Sequence, residues 1–196
     1  MSDTQINVKK KFENLTIPNG ITYCSLLFAL FGIYLLVKNQ IVLAIIFLTL
    51  TDVFDMLDGY IARKFKMFSP LGADLDSLVD MVAFVIPPFI IALVFNNNLL
   101  IASSVFLVAC GIYRLARFNI EKKVPGHVKG LVASLPPHFI YTAILLNVSL
   151  GFLAIFYVIF GMMMVSKILT KTKYMYFTTI SIMSINLILA TIVLVV

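Results

Sequence analysis

The sequence predicts an all-α protein, a polytopic transmembrane helical bundle of about six to seven spans with its functional site facing the cytosol. Three observations predict it. The hydrophobic fraction is 61% and the charged fraction 12%, against about 45–50% and about 25% in soluble domains. The apolar residues fall in long unbroken runs, the pattern of bilayer-crossing helices rather than of barrel strands that alternate over about ten residues. Six of the nine acidic residues crowd between positions 52 and 80. A soluble globule would have to expose most of its apolar surface, so that class is excluded. Disorder and a nucleic-acid-binding module are excluded with it, although the net charge is +6 and the pI 9.3.

The chain opens with residues 1–19, expected to form an N-terminal interfacial segment. Ile6, Val8, Phe12 and Leu15 would face lipid, and Lys9, Lys10 and Lys11 anionic headgroups. A disordered leader fits these residues equally, whereas a signal peptide does not, because no small-residue cleavage site follows the first apolar run. Residues 20–196 are expected to form one transmembrane domain. Its apolar stretches are 20–37, 41–62, 73–95, 99–118, 131–147, 150–166 and 174–196. Each is near the roughly 20 residues that a bilayer requires. The fifth and sixth are short and joined only by Val148-Ser149.

Orientation follows from the connections. Fourteen of the fifteen Lys and Arg residues lie on one side, in the leader and in the turns after the second, fourth and sixth stretches. The exception is Lys38. Positive charge is retained inside, so that side is expected to be cytosolic in a multi-pass cell-membrane protein. Cys24 and Cys110 lie within apolar runs and indicate no disulfide framework. Pro87-Pro88 and Pro136-Pro137 are expected to kink the third and fifth spans.

Carboxylates within membrane spans are costly unless partnered. Asp55 and Asp58 are three residues apart and share a helix face, with Asp52 one turn earlier. Asp76 and Asp80 share a face at the start of the third span. The turn over 63–71 returns the chain, so the two faces can meet near the cytosolic boundary. Four converging carboxylates, Asp55, Asp58, Asp76 and Asp80, make a hard-oxygen metal site suited to Mg²⁺ or Mn²⁺, with Ca²⁺ also admitted. Separate salt bridges to Arg63 and Lys64 would leave too few cations for the acids. Gly59 and Ala62 keep the helix surface beside Asp58 shallow, and Gly72 stands at the turn into the third span.

These residues carry a resemblance. Asp55-x-x-Asp58-Gly59-x-x-Ala62-Arg63, eight residues, then Gly72-x-x-x-Asp76-x-x-x-Asp80 resembles the full signature of the CDP-alcohol phosphatidyltransferases. Ile17-Pro18-Asn19-Gly20-Ile21-Thr22 is similar to that family's approach to its first span. Asp76-Ser77-Leu78-Val79-Asp80 and Arg114-Leu115-Ala116-Arg117-Phe118-Asn119 resemble the phosphatidylserine synthase branch. Gly130-Leu131, Leu135-Pro136 and Met164-Val165-Ser166-Lys167 do so more loosely. One position departs: that branch has Gly after Phe84, and this chain has Val85.

The resemblance implies transfer of a phosphatidyl group from CDP-diacylglycerol to L-serine, yielding phosphatidylserine and CMP; ether-linked tails would give the archaetidyl counterpart. It implies two divalent ions, a homodimer and membrane lipid as surroundings. It makes Asp80 the general base. The position of Asp80, one turn deeper than Asp76, agrees with that role, because water is scarcer there. It makes Asp52, Gly59, Ala62, Arg63 and Gly72 nucleotide-binding, with Arg63 a charge-assisted donor to phosphate. Arg114, Arg117 and Asn119, with Lys129, are candidates for the serine carboxylate or a lipid phosphate. Arg114 and Arg117 also fit plain positive-inside topology. His127 is expected in a loop, and His138 packed beside Pro136-Pro137.

Two other functions compete. A sibling transferase using glycerol 3-phosphate or inositol phosphate would equally employ an arginine pair. A cation channel or transporter would use intramembrane acids, but here the acids cluster on one face, and the last three spans carry none.

Overall fold

The computed structural model describes residues 16–121 and 125–195. Most of the expected interfacial segment, residues 1–15, lies outside the described residues, as do Lys122 and Lys123. The chain is helical, as expected. Helix α1 is Ile17–Val37 and α2 is Ile41–Phe65. The third crossing is broken into α3 (Pro70–Asp80), a π-helical turn (Met81–Val85) and α4 (Pro87–Val94). Then follow α5 (Asn98–Ile120), α6 (Leu135–Leu145), α7 (Leu150–Val165) and α8 (Thr172–Val195). Among the described residues, four apolar helical stretches are long enough to cross a membrane: Ile17–Val37, Leu71–Val94, Asn98–Ile120 and Thr172–Val195. Helix α2, at 25 residues, also has the length, and carries Asp52, Asp55 and Asp58 along with Arg63 and Lys64.

Local chemistry sets the ends of these helices. Pro18 occupies the first turn of α1, where its missing N–H costs nothing. Ser69 caps α3, its hydroxyl accepting the Gly72 N–H at 2.9 Å. The Asn97 carboxamide caps α5 through the Leu100 N–H. The three turns on the side opposite the basic connections each contain an asparagine at positive φ: Asn39, Asn96 and Asn147. Asparagine tolerates this left-handed geometry better than other side-chain-bearing residues, which permits very tight reversals.

Helix α1 packs along α2, α5 along α7, and α6 along α8. The core between them contains Leu36, Ile45, Leu48, Ile91, Leu100 and Ile140, all 1% exposed or less. Elsewhere large apolar side chains such as Phe106, Phe152 and Ile188 point outward, which suits helices solvated by lipid.

Three expectations are corrected. The fifth stretch is not a full-length helix. Helix α6 has 11 residues, about 16 Å at 1.5 Å per residue, too short to cross alone. Residues 131–134 precede it as irregular chain; the Leu131 N–H donates to Met163 O at the far end of α7. Pro136 and Pro137 fall in the first turn of α6 and begin the helix rather than kink it. Irregular backbone at this depth needs protein or a cavity around it, and it has both. His127, expected in a loop, lies on a short strand. β1 (His127–Lys129) pairs antiparallel with β2 (Leu169–Lys171), Val128 opposite Thr170.

Pro87-Pro88 does coincide with the break in the third crossing. Neither residue offers an N–H, and the preceding turn relaxes to i→i+5 bonding, with Ile86 N–H donating to Met81 O at 3.0 Å. The break falls immediately after Asp80.

Candidate active site

A cavity of about 380 Å³ opens between α1, α2, α3, α5 and α8. Three carboxylates meet in its wall. Asp55 comes from α2, and Asp76 and Asp80 come from α3. One oxygen from each lies within 4.8 Å of those of the other two. The spacing along each helix set the faces, and the turn over 63–71 brought the faces together. Like charges this close repel, and a bound cation removes the repulsion. The donors are all hard oxygens, so the set fits Mg²⁺, Mn²⁺ or Ca²⁺.

Asp58 lines the same cavity but stands at the edge of the cluster. The Thr22 hydroxyl of α1 donates to its Oδ2 at 2.5 Å and also approaches Pro18 O at 3.1 Å. Thr22 belongs to the resembling opening segment, though its role in fixing Asp58 was not legible there.

The mouth of the cavity carries Gly59, Ala62, Arg63 and Gly72. The Arg63 guanidinium lies over Gly59, where a Cβ would stand 3.2 Å from its Nη1. At Gly72 a Cβ would stand 2.8 Å from Asn19 Oδ1, so glycine is what allows α1 and α3 to approach there. Asp52 also lines the cavity but lies apart from this group. Ten residues separate it from Ala62, about 15 Å along the helix. It sits at the inner end, where its charge acts on Asp80 and Asp55.

The four acceptor candidates separate. Arg114 lines the cavity and is 6% exposed. Its Nε donates to Leu131 O at 3.2 Å, its guanidinium lies 5.2 Å from the Phe118 ring centre, and its charge acts on Asp80 and Asp55. Arg117 points elsewhere. Its guanidinium donates to Val165 O (2.7 Å), Met164 O (3.1 Å), Ser166 O (3.1 Å) and Lys129 O (3.3 Å). Those are the open carbonyls at the end of α7 and the end of β1, so its donors serve backbone. Asn119 Oδ1 accepts from the Ser77 hydroxyl at 3.0 Å, tying α5 to α3. Lys129 Nζ meets Glu121 at 2.9 Å, and this ammonium holds the Glu121 carboxyl below its ordinary range. Arg117, Asn119 and Lys129 therefore frame the site without lining it, because one helical turn at a helix end is enough to turn a side chain from cavity to loop.

His138 was expected merely to pack beside the prolines. It is fully buried, and its Nε2 lies 2.9 Å from Asp52 Oδ2. Asn186 of α8 sits behind it, with Nδ2 3.4 Å from His138 Nδ1 and 3.0 Å from His138 O. The Thr142 hydroxyl donates to Asn186 Oδ1 at 2.7 Å. No local sequence signal marks this chain of contacts, because its partners lie 86 and 48 positions apart.

Comparison with known proteins agrees with the geometry. The chain is 38% identical over 119 residues to CDP-diacylglycerol–serine O-phosphatidyltransferase of Methanocaldococcus jannaschii, covering 60% of this chain and 53% of that protein. It is 32% identical over 117 residues to the Bacillus subtilis protein of the same name, covering 57% and 66%. It is 31% identical over 120 residues to archaetidylserine synthase of Methanothermobacter thermautotrophicus, covering 59% and 52%. The matched region thus spans between about half and two thirds of the length of these curated relatives. The profile of the CDP-alcohol phosphatidyltransferases matches residues 15–196, nearly the whole chain. With that coverage, and with its acids gathered in one intramembrane cavity, the chain belongs to the CDP-alcohol phosphatidyltransferase family.

Proposed function

We propose that this membrane protein transfers the phosphatidyl group of CDP-diacylglycerol to the hydroxyl of L-serine, releasing phosphatidylserine and CMP. The observation that carries the reading is the meeting of Asp55, Asp76 and Asp80 in one cavity wall, with Arg63 at its mouth and Arg114 within. The names of the similar proteins support serine as the acceptor.

A hydroxyl attacks an anionic phosphate poorly unless a base removes its proton and cations screen the phosphate. Asp55, Asp58 and Asp76 would hold two divalent ions, with Asp80 close by. Such ions would supply positive charge to screen the pyrophosphate and to stabilise the leaving CMP. Gly59 and Ala62 would admit the nucleotide against a shallow helix face, and Arg63 would pair with phosphate. Asp80 would take the hydroxyl proton. The serine oxygen then bonds to the phosphorus bearing the diacylglycerol, and the bond from that phosphorus to the CMP oxygen breaks. CMP leaves with the electron pair. Arg114, held by Leu131 O and stacked near Phe118, presents its remaining donors to the acceptor.

The site is read as cytosolic because the basic connections flank the cavity mouth, and the protein is read as a homodimer by family resemblance. The test is CMP release from CDP-diacylglycerol by purified protein with serine, glycerol 3-phosphate and inositol phosphate in parallel. Serine-dependent release is expected. Release with a phosphorylated alcohol alone would reject the serine assignment and leave the phosphatidyl transfer standing.

A further inference from the structure

We infer that Asp52, held in place by His138, determines acceptor specificity by receiving the ammonium group of a zwitterionic amino alcohol. The inference rests on the transferase reading above and names how the same cavity distinguishes its acceptor.

Asp52 is 1% exposed and yet lines the cavity. It stands at the inner end, about 15 Å along α2 from the shallow face at Ala62, so it is remote from the place where a nucleotide fits. Its charge acts instead on Asp80 and Asp55, and Arg114 lines the same cavity. Asp80 is the group placed to take a hydroxyl proton. Arg114 supplies a positive charge that acts on Asp80. The cavity therefore offers three different partners, with Asp80 linked to each of the other two: a base, a cation and a buried anion. Serine carries the three matching groups: a hydroxyl, a carboxylate and an ammonium. Glycerol 3-phosphate and inositol phosphate carry no ammonium, and their phosphates would meet the Asp52 carboxylate at close range. Placing like charges together discriminates as strongly as placing opposite ones.

The surroundings of Asp52 are built to keep it fixed. His138 Nε2 is 2.9 Å from its Oδ2. Behind the ring, Nδ1 faces the Asn186 amide nitrogen at 3.4 Å, so both ring nitrogens have a polar partner. Asn186 is itself fixed by His138 O and by Thr142. His138 touches no expected substrate atom, so it is a positioning residue acting through Asp52. Asn186, fully buried on α8, makes the last helix part of the acceptor site although that helix carries no acid.

The experiment compares three acceptors on purified full-length protein: L-serine, 3-hydroxypropionate, which lacks the ammonium, and ethanolamine, which lacks the carboxylate. Asp52→Asn keeps shape and hydrogen bonding. It is expected to raise the KM for serine about tenfold or more, to leave the KM for CDP-diacylglycerol nearly unchanged, and to erase the preference for serine over 3-hydroxypropionate. His138→Leu is expected to reproduce this pattern. His138→Gln, which keeps a donor toward Asp52, is expected to restore most of it. The double variant Asp52→Asn/His138→Leu should lose no more than either single change. Retained CMP binding shows that each variant is folded, and His138→Leu serves if Asp52→Asn is not. A rise in the KM for the liponucleotide alone, or an unchanged preference for serine, overturns the inference. His138→Gln failing as badly as His138→Leu removes His138 from it. A wild-type protein inactive with serine is a failure of the serine assignment itself, visible before any variant is made.

Discussion

Gly130 and Arg117 fit together at the point where the chain re-enters the membrane. A Cβ at Gly130 would stand 3.0 Å from Arg117 Nη2 and 2.6 Å from Met164 O, and the residue adopts a φ of +72°. Only glycine accepts both the left-handed backbone and the crowding. The space it leaves lets one guanidinium bind the end of α7 and the end of β1 together.

Arg117→Lys should therefore behave as a stability variant. A lysine ammonium lacks the planar fork that reaches several carbonyls at once. The loss expected is about 1–2 kcal/mol, the worth of charge-assisted bonds at a partly exposed position. Thermal unfolding in detergent should show it, with the KM values for both substrates shifting together or not at all. Arg114→Lys should do the opposite, raising the KM for serine with little change in Tm. A selective serine effect at Arg117 would return that residue to the site.

Metal removal is the second prediction. The oxygens of Asp55, Asp76 and Asp80 within 4.8 Å of one another call for a cation. Activity should vanish in EDTA and return with Mn²⁺ or Mg²⁺. Full turnover in chelator would contradict a metal site.

Separate substitutions of the aspartates are the third. Asp55→Asn and Asp76→Asn should weaken metal binding, measured by calorimetry, and abolish turnover. Asp80→Asn should retain nucleotide binding and slow turnover by about 10²–10⁴-fold, the range for loss of general-base catalysis. Near-normal turnover in Asp80→Asn would place the base elsewhere.

Topology supplies the fourth. After Cys24 and Cys110 are replaced, a cysteine at Asn97 should react with an impermeant thiol reagent added outside intact cells. A cysteine at Lys66, in the turn beside the cavity mouth, should react only after the membrane is opened. The reverse pattern would put the site outside.

Packing between Val85 and Gly111 is the fifth. Val85 stands where the resembling branch has glycine, and a Cβ at Gly111 would come 2.8 Å from Val85 Cγ1. Gly111→Ala should therefore destabilise the protein by about 1–3 kcal/mol through overpacking. Val85→Ala in the same chain should recover most of the loss in Tm.

The sequence by itself determined the class of protein and most of the metal-binding face. A chain this apolar must be solvated by lipid. Helical periodicity then placed Asp55 with Asp58, and Asp76 with Asp80, before any tertiary contact was known. Two faces joined by one short turn have little freedom, so their meeting was legible too. Which oxygens came closest was not. Thr22 drew Asp58 aside, a contact spanning 36 positions that no local pattern encodes. Tertiary structure alone decided the fate of the arginines. Arg114 and Arg117 differ by one turn, but a cavity lies beside the first and open carbonyls at the end of α7 beside the second. It also decided the fifth crossing, where the cavity wall let residues 131–134 remain irregular at membrane depth. His138 shows the limit most clearly. On its own helix it is one of few polar residues among apolar ones. Its role exists only because α2 and α8 bring Asp52 and Asn186 to opposite sides of its ring, and a buried polar group must find partners wherever the fold supplies them.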